Sequence, residues 1–317
     1  MSSGTVLHAE PVANATAARL TGALTALEQI IVDKRAQLQL CVCCMLAGGH
    51  LLIEDVPGVG KTTLAHALAR VLGLSYQRIQ FTSDLLPADI LGVSIFRRET
   101  GNFEFHKGPV FSQLVLADEI NRATPKAQSA LLEAMEERQV TADGETFDLP
   151  APFFVIATSN PAHQIGTFEL PESQLDRFLM RIALGYPGPA AERALLTLGE
   201  RREMIASIEP VMTPDELTLM QNRVGEVFLS EPVLDYIQAV IAFTRESGAF
   251  TAGLSPRAGI ALTRAAQACA MIEGHDGVHP EDVQQVLPAV VAHRLAASTL
   301  DVPDDLGEFI LRSVPIP

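Results

Sequence analysis

Residues 50–73 read HLLIEDVPGVGKTTLAHALARVLG, and their order decides the fold. The apolar run before Asp55 has the length of a short buried strand, PGVGK is a glycine-rich bend, and a helix follows through KTTLAHALARVLG. A bend that feeds a helix N-terminus turns its backbone N–H groups toward one point, where they can cradle phosphates. At this spacing Lys61 reaches β- and γ-oxygens, and the Thr62 hydroxyl can ligate Mg²⁺. Pro57, Gly58, Val59, Gly60, Lys61, Thr62 and Thr63 are therefore the candidate nucleotide-binding stretch. Asp55 departs from the G-x-x-x-x-G-K-[ST] pattern, standing where its first glycine belongs. An acid beside a polyphosphate is electrostatically adverse unless this side chain points away from the loop cavity.

Downstream, strands and helices alternate. YQRIQF (76–81) reads as a second strand and LLPADILG as a short helix or turn; two alternating stretches around Thr100, Gly101 and Asn102 then read as a hairpin. SQLVLADEIN is a third strand, and Pro125 to Glu137 a helix with Ala127, Ala130, Leu131, Ala134 and Met135 on one face. RQVTADGETFDLP is a second hairpin turning at Asp143-Gly144. APFFVIATSNP is a fourth apolar strand, LPESQLDRF a short helix and LMRIALGYP a closing strand. This alternation implies an α/β fold, a parallel sheet with helices on both faces.

Upstream, residues 13–47 read as one helix, with Leu20, Leu24, Leu27, Ile30 and Ile31 recurring at three- and four-residue steps until Gly48-Gly49 stops it. At Tyr186-Pro187-Gly188-Pro189 the texture changes to amphipathic helices alone, with start signals at Thr213-Pro214, Ser255-Pro256 and His279-Pro280. The expected division is an α/β nucleotide-binding domain over 1–186, including the N-terminal helix, and an all-helical domain over 187–317.

Asp118 and Glu119 end the third strand as adjacent carboxylates of the kind phosphoryl transfer needs. In that reading Asp118 holds the metal through water and Glu119 orients and polarises the attacking water. Asn160 ends the next strand, where its amide can touch both the γ-phosphate and that water, because the strands of such a sheet deliver their C-terminal ends to one crevice. Arg257 follows Ser255 as cap and Pro256 as first helical residue, a cation at the positive end of a helix dipole that a nearby phosphate would explain. Arg177, in LDRF, lies by strand counting on the far side of the sheet from the loop's own nucleotide, so its natural target is a neighbouring subunit's γ-phosphate. Arg122 and Arg181 compete with it for that role.

Composition narrows the remaining classes. Among 317 residues, 48 % are hydrophobic, which supplies a core and excludes a disordered chain. The net charge of −15 argues against nonspecific nucleic-acid binding, although Arg97, Arg98 and Lys107 make the first hairpin locally basic. The first twenty residues lack the pattern of a signal peptide and no run is apolar enough to insert in a membrane, so a cytoplasmic location is expected. Cys41, Cys43, Cys44 and Cys269 read as buried helix thiols. Gly277 and Pro280 argue against His275 and His279 as a helical pair of metal ligands.

In order, EDVPGVGKT, LADEINRA, ATSNP, LPESQLDRF and GLSPRA resemble the AAA+ ATPases, specifically the MoxR family, over about residues 25–295. GGHLLIEDVPGVGKT, RIQFTSDLLPADILG, FEFHKGPVF and ADEINRATPKAQSALLEAMEERQV carry the MoxR likeness. The resemblance implies an AAA+ core with two hairpin inserts, near 94–105 and 139–147, that line the pore of related rings, followed by an all-α lid. It makes Lys61 and Thr62 Walker A residues, Asp118 and Glu119 Walker B, Asn160 sensor 1, Arg177 the arginine finger and Arg257 sensor 2. It further implies ATP and Mg²⁺ as cofactors, a ring that is commonly a hexamer, and chaperone-like maturation of partner complexes, among them proteins with von Willebrand factor A domains. A nucleotide-switched binding module, a DNA-associated ring and a magnesium-chelatase-like subunit are the alternatives.

Overall fold

The computed structural model describes residues 10–99, 101–160, 167–197, 201–299 and 301–316. Thr100 of the first hairpin turn and Pro161 after Asn160 lie outside the described residues. The strands are β1 (Leu51–Glu54), β2 (Tyr76–Gln80), β3 (Gly92–Arg97), β4 (Asn102–Lys107), β5 (Leu114–Asp118), β6 (Gln139–Ala142), β7 (Glu145–Asp148), β8 (Phe154–Ser159) and β9 (Met180–Ile182). Five of them form one parallel sheet in the order β2-β5-β8-β1-β9. β3–β4 and β6–β7 are separate antiparallel hairpins, with Arg97 opposite Asn102 and Ala142 opposite Glu145 at their tips.

Helices α1 (Glu10–Glu28), α2 (Arg35–Leu46), α3 (Lys61–Val71), α4 (Pro87–Leu91), α5 (Pro125–Glu137) and α6 (Glu172–Leu175) surround the sheet. The period-two alternation of the strands divides the core between its faces. Leu51, Ile53, Leu114, Leu116, Phe154 and Ile156 pack toward α1, α2 and α3, whereas Leu52, Val115, Ala117, Val155 and Ala157 pack toward α4 and α5. Among the described residues only helices follow as regular elements: α7 (Pro189–Thr197), α8 (Arg201–Ala206), α9 (Pro214–Val224), α10 (Glu231–Glu246), α11 (Pro256–Glu273), α12 (Pro280–Val291) and α13 (Leu306–Ser313). The expected starts are used as caps: the Thr213 hydroxyl accepts from Glu216 N and the Ser255 hydroxyl from Ala258 N.

Two expectations need correction. The helix expected over 13–47 is two helices, α1 and α2, broken between 28 and 35. Asp33 there adopts a left-handed φ of 62° and its carboxylate accepts from Gly188 N, while Ile30 and Ile31 turn into the core. An unbroken helix of that length would run straight for about 50 Å; the break lets both halves pack against α11. The other correction is that α7 and α8 fill a stretch to which the sequence reading gave no element. α1 and α2 also share a core with the helical region: Cys43 Sγ donates to Ala265 O, Gln221 Nε2 to Met45 O, and Arg19 pairs with Glu216. All four cysteines are free and buried, and burial pushes the Cys41 thiol up to about 12.

Candidate active site

β1 ends at Glu54 and the bend to α3 carries Gly58 and Gly60 at φ of 89° and 98°, left-handed conformations that glycine adopts without strain. Nothing lies within 4 Å of where a Cβ would sit at either glycine, so backbone conformation and not crowding favours glycine there. Lys61 opens α3; its ammonium donates to Asp55 O at 2.6 Å, Ser159 O at 3.3 Å and Asn160 Oδ1 at 3.0 Å. Burial draws its pKa down against the pull of Asp55, Asp118 and Glu119. Thr62 and Thr63 follow in the first turn, with Thr62 exposed.

Asn160 links this lysine to the carboxylates. Its Nδ2 donates to Glu119 Oε1 at 3.1 Å, so Lys61, Asn160 and Glu119 form one hydrogen-bonded chain across three adjacent strand ends. Glu119 sits at φ 56°, a left-handed conformation that costs a non-glycine residue on the order of 1–3 kcal/mol. Its backbone N–H is fixed by Thr158 Oγ1 at 2.8 Å, and Oε2 accepts from Gln80 and Arg122. Asp118 is buried; Oδ1 accepts from the Thr158 hydroxyl at 2.6 Å and Oδ2 from Arg78 Nε and Nη2 at 3.0 and 2.6 Å. Sequence reasoning missed Thr158, Arg78 and Gln80. Thr158, a hydroxyl in a strand that is otherwise apolar up to it, was the legible signal; Arg78 and Gln80 matter only because β2 lies beside β5.

Asp55 turns away from the loop cavity, as its reading required. Oδ2 accepts from the backbone N–H groups of Leu184 and Gly185 at 2.7 and 2.6 Å, and Oδ1 from its neighbour Val56 at 2.7 Å. The carboxylate thus ties the bend to the connection between β9 and α7.

The arginines divide. Arg122 pairs with Glu119 at 2.8 Å and Arg181 with Glu54 at 2.8 Å, both near the strand ends that carry the loop. Arg177 and Arg257 lie elsewhere, in a cavity beside Gly48, Gly49 and His50, which precede β1 and so mark the other end of the sheet. There Arg177 Nη1 donates to Leu132 O at 2.7 Å, and Arg257 grips Glu136. The structure therefore brings Lys61, Asp118, Glu119 and Asn160 together, and brings Arg177 to Arg257, but places neither arginine with Lys61.

A phosphate loop on β1, adjacent acids on β5 and an amide on β8, in a sheet of this order with helices behind it, define the class: an AAA+ ATPase that binds nucleotide and hydrolyses ATP. Residues 50–180 match the model of the ATPase family associated with various cellular activities, and residues 242–308 the AAA lid domain. The chain belongs to the MoxR family within that class. It is 38 % identical to the chaperone MoxR1 of Mycobacterium tuberculosis over 92 % of this chain and 79 % of that one. It is 34 % identical to the protein MoxR of Paracoccus denitrificans over 89 % of each, and 46 % identical to YeaC of Bacillus subtilis over 85 % and 84 %. A crystal structure assigned to a Cytophaga hutchinsonii ATPase superposes with a TM-score of 0.85 at 35 % identity, covering 96 % and 97 % of the two chains. Among the described residues, no helix is long and apolar enough to cross a membrane.

Proposed function

We propose that this ATPase works as a Mg²⁺-dependent ring, commonly a hexamer, in which each nucleotide site is completed by the next subunit, and that turnover drives chaperone-like remodelling or maturation of partner protein complexes. The observation that carries the reading is the unbroken Lys61–Asn160–Glu119 chain, combined with the placement of Arg177 and Arg257 away from it. Lys61 binds the β- and γ-phosphates together with the N–H groups of residues 58–63, Glu119 orients and polarises the attacking water, and Asn160 holds both groups in register. Thr62, next to Lys61 at the start of α3, and Asp118, whose charge acts on Lys61, offer a hydroxyl and a carboxylate, oxygen donors that would suit Mg²⁺. Bound there, Mg²⁺ supplies neutralisation of phosphate charge. Asp118 is also held by Arg78, whose side chain is half exposed.

Arg177, with Arg257 beside it, acts on the γ-phosphate of the neighbouring subunit. Arg122 and Arg181 each sit at their own subunit's strand ends, beside the loop, which disfavours them for that role. The partner side rests on the family: the Mycobacterium relative is named a chaperone, and proteins with von Willebrand factor A domains are the client class we propose. A DNA partner is disfavoured by the charge of −15 and by the first hairpin, where Arg97 pairs with Glu104 and Lys107 lies over the Phe111 ring.

The test is specific ATPase activity against protein concentration in Mg²⁺, with the Glu119→Gln protein as blank. A steep rise to a plateau is expected, because one subunit lacks its arginines until it meets another. Activity that is flat and equal to the blank would instead favour a nucleotide-switched binding module.

A further inference from the structure

The helical region carries a second cluster of chemically capable side chains at the corner where α11 passes into α12. Gly277 and Pro280 do prevent a helical His275/His279 pair, yet the turn they create folds the two rings onto each other, with centroids 4.2 Å apart and planes at 26°. Asp282, in the first turn of α12, completes the group. One donor atom from each of His275, His279 and Asp282 lies within 4.8 Å of the others. We propose that these three residues bind a late first-row divalent cation, Zn²⁺ in its simplest form, leaving a coordination position open to water.

Four features of the corner support this. His275 Nδ1 and Asp282 Oδ2 are hydrogen-bonded at 3.1 Å, a separation close to the ligand–ligand edge of about 3.3 Å that tetrahedral zinc with bonds of about 2.0 Å requires. Asp282 is 1 % exposed and fixed by the His279 N–H at 2.8 Å, so the anionic ligand is already in place. Between residues 265 and 293 the chain has no lysine or arginine, while Glu273, Asp276, Glu281 and Asp282 supply four acids. The carbonyl end of α11 also abuts the corner, offsetting the positive end of α12 that Asp282 caps. Two imidazoles and one carboxylate prefer zinc to Mg²⁺, unlike the hydroxyl and carboxylate beside the phosphate loop.

A cation here staples α11 to α12 and to the loop that reaches Phe228, which accepts from Val278 N at 2.8 Å. The site is thus a brace within the helical region, separate from the chemistry at Lys61.

The experiment titrates the chelator-treated, nucleotide-free full chain with Zn²⁺ in competition with a chromophoric chelator, with Mg²⁺ in excess to occupy hard oxygen sites. One tight equivalent is expected, weakened at least about tenfold in His279→Ala and in His275→Ala, as losing a direct ligand demands. His279 is exposed and caps α12 only through its backbone, so His279→Ala keeps the fold; unfolding without metal checks this. Zn²⁺ should also raise the melting temperature of the parent by a few degrees and leave that of both variants unchanged. Zn²⁺ binding of equal strength in parent and variants, or no tight equivalent in the parent, overturns the proposal.

Discussion

Glu136 grips Arg257 through both carboxylate oxygens, at 2.7 and 2.5 Å, and the same carboxylate lies 4.0 Å from Arg177. A residue near the end of α5 thus gathers one arginine from the α/β body and one from the helical region. Arg138, Arg264 and Arg294 line the same cavity, where Glu136 and Asp176 are the acids among the described residues. That balance suits a visiting anion, which in the proposed ring is the neighbour's γ-phosphate. Arg177→Ala and Arg257→Ala should each keep ATP affinity and lose turnover, Arg177→Ala by on the order of 10³-fold. Mixing either with the Lys61→Ala protein should restore part of the activity, because intact sites form at mixed interfaces. Weakened ATP binding by dilute Arg257→Ala protein would place Arg257 on its own subunit's nucleotide.

Asp55 gives a second prediction. Asp55→Gly restores the glycine of the loop pattern but strands the N–H groups of Leu184 and Gly185 that the carboxylate accepts. Leaving buried donors unpaired costs about 1–3 kcal/mol, so denaturant unfolding should show a loss of that order with ATP affinity unchanged. Tighter ATP binding with no loss of stability would mean that the carboxylate acts on the phosphates and not on the connection after β9.

This contrast marks what the sequence could carry. The loop, the strand-end acids and Asn160 were legible because local spacing alone puts them at the ends of adjacent parallel strands. So was the orientation of Asp55, since electrostatics left its carboxylate one tolerable direction, although its amide partners 129 and 130 positions away were not readable. Arg78 and Glu136 were invisible for the same reason: each is an ordinary surface-type residue until β2 lies against β5 or α11 against α5. The break between α1 and α2 escaped because the apolar periodicity continues through Ile30 and Ile31, which are buried in the turn as they would be in a helix. For the His275/His279 pair the argument against a helical arrangement holds, because a turn and not a helix stacks the two rings.

His50 predicts an acid limb of stability. Its Nδ1 accepts from Val155 N at 3.0 Å, and burial pulls its pKa down to about 4. His293, also buried, is pulled down to about 3. Such histidines stay neutral in the folded chain while the unfolded chain takes up protons near pH 6.5, so the folded state loses stability as pH falls from about 6.5 toward 4. For His50 the loss is on the order of 3 kcal/mol across that window. His50→Asn keeps an acceptor for Val155 and removes the titration, so its stability should fall less steeply than the parent's between pH 6.5 and 4. Parallel slopes in urea unfolding would remove His50 from the acid response.

Arg294 predicts a coupling between the helical region and Arg177. Only 5 % of its side chain is exposed, and it clasps the segment that carries Arg177: Nε donates to Asp176 Oδ1 at 2.8 Å, Nη2 to Phe178 O at 2.6 Å and Nη1 to Leu179 O at 3.0 Å. Lysine keeps the charge but not the planar fork that makes these bonds at once. Arg294→Lys should therefore lower stability and reduce kcat while leaving ATP affinity near that of the parent. A purely structural role predicts the same loss of stability, so the decisive measurement is the double variant. If Arg294 acts by positioning Arg177, adding Arg294→Lys to Arg177→Ala costs no further turnover, although it still costs stability. Independent, multiplying losses of kcat in the double variant would show that Arg294 reaches the reaction by another route.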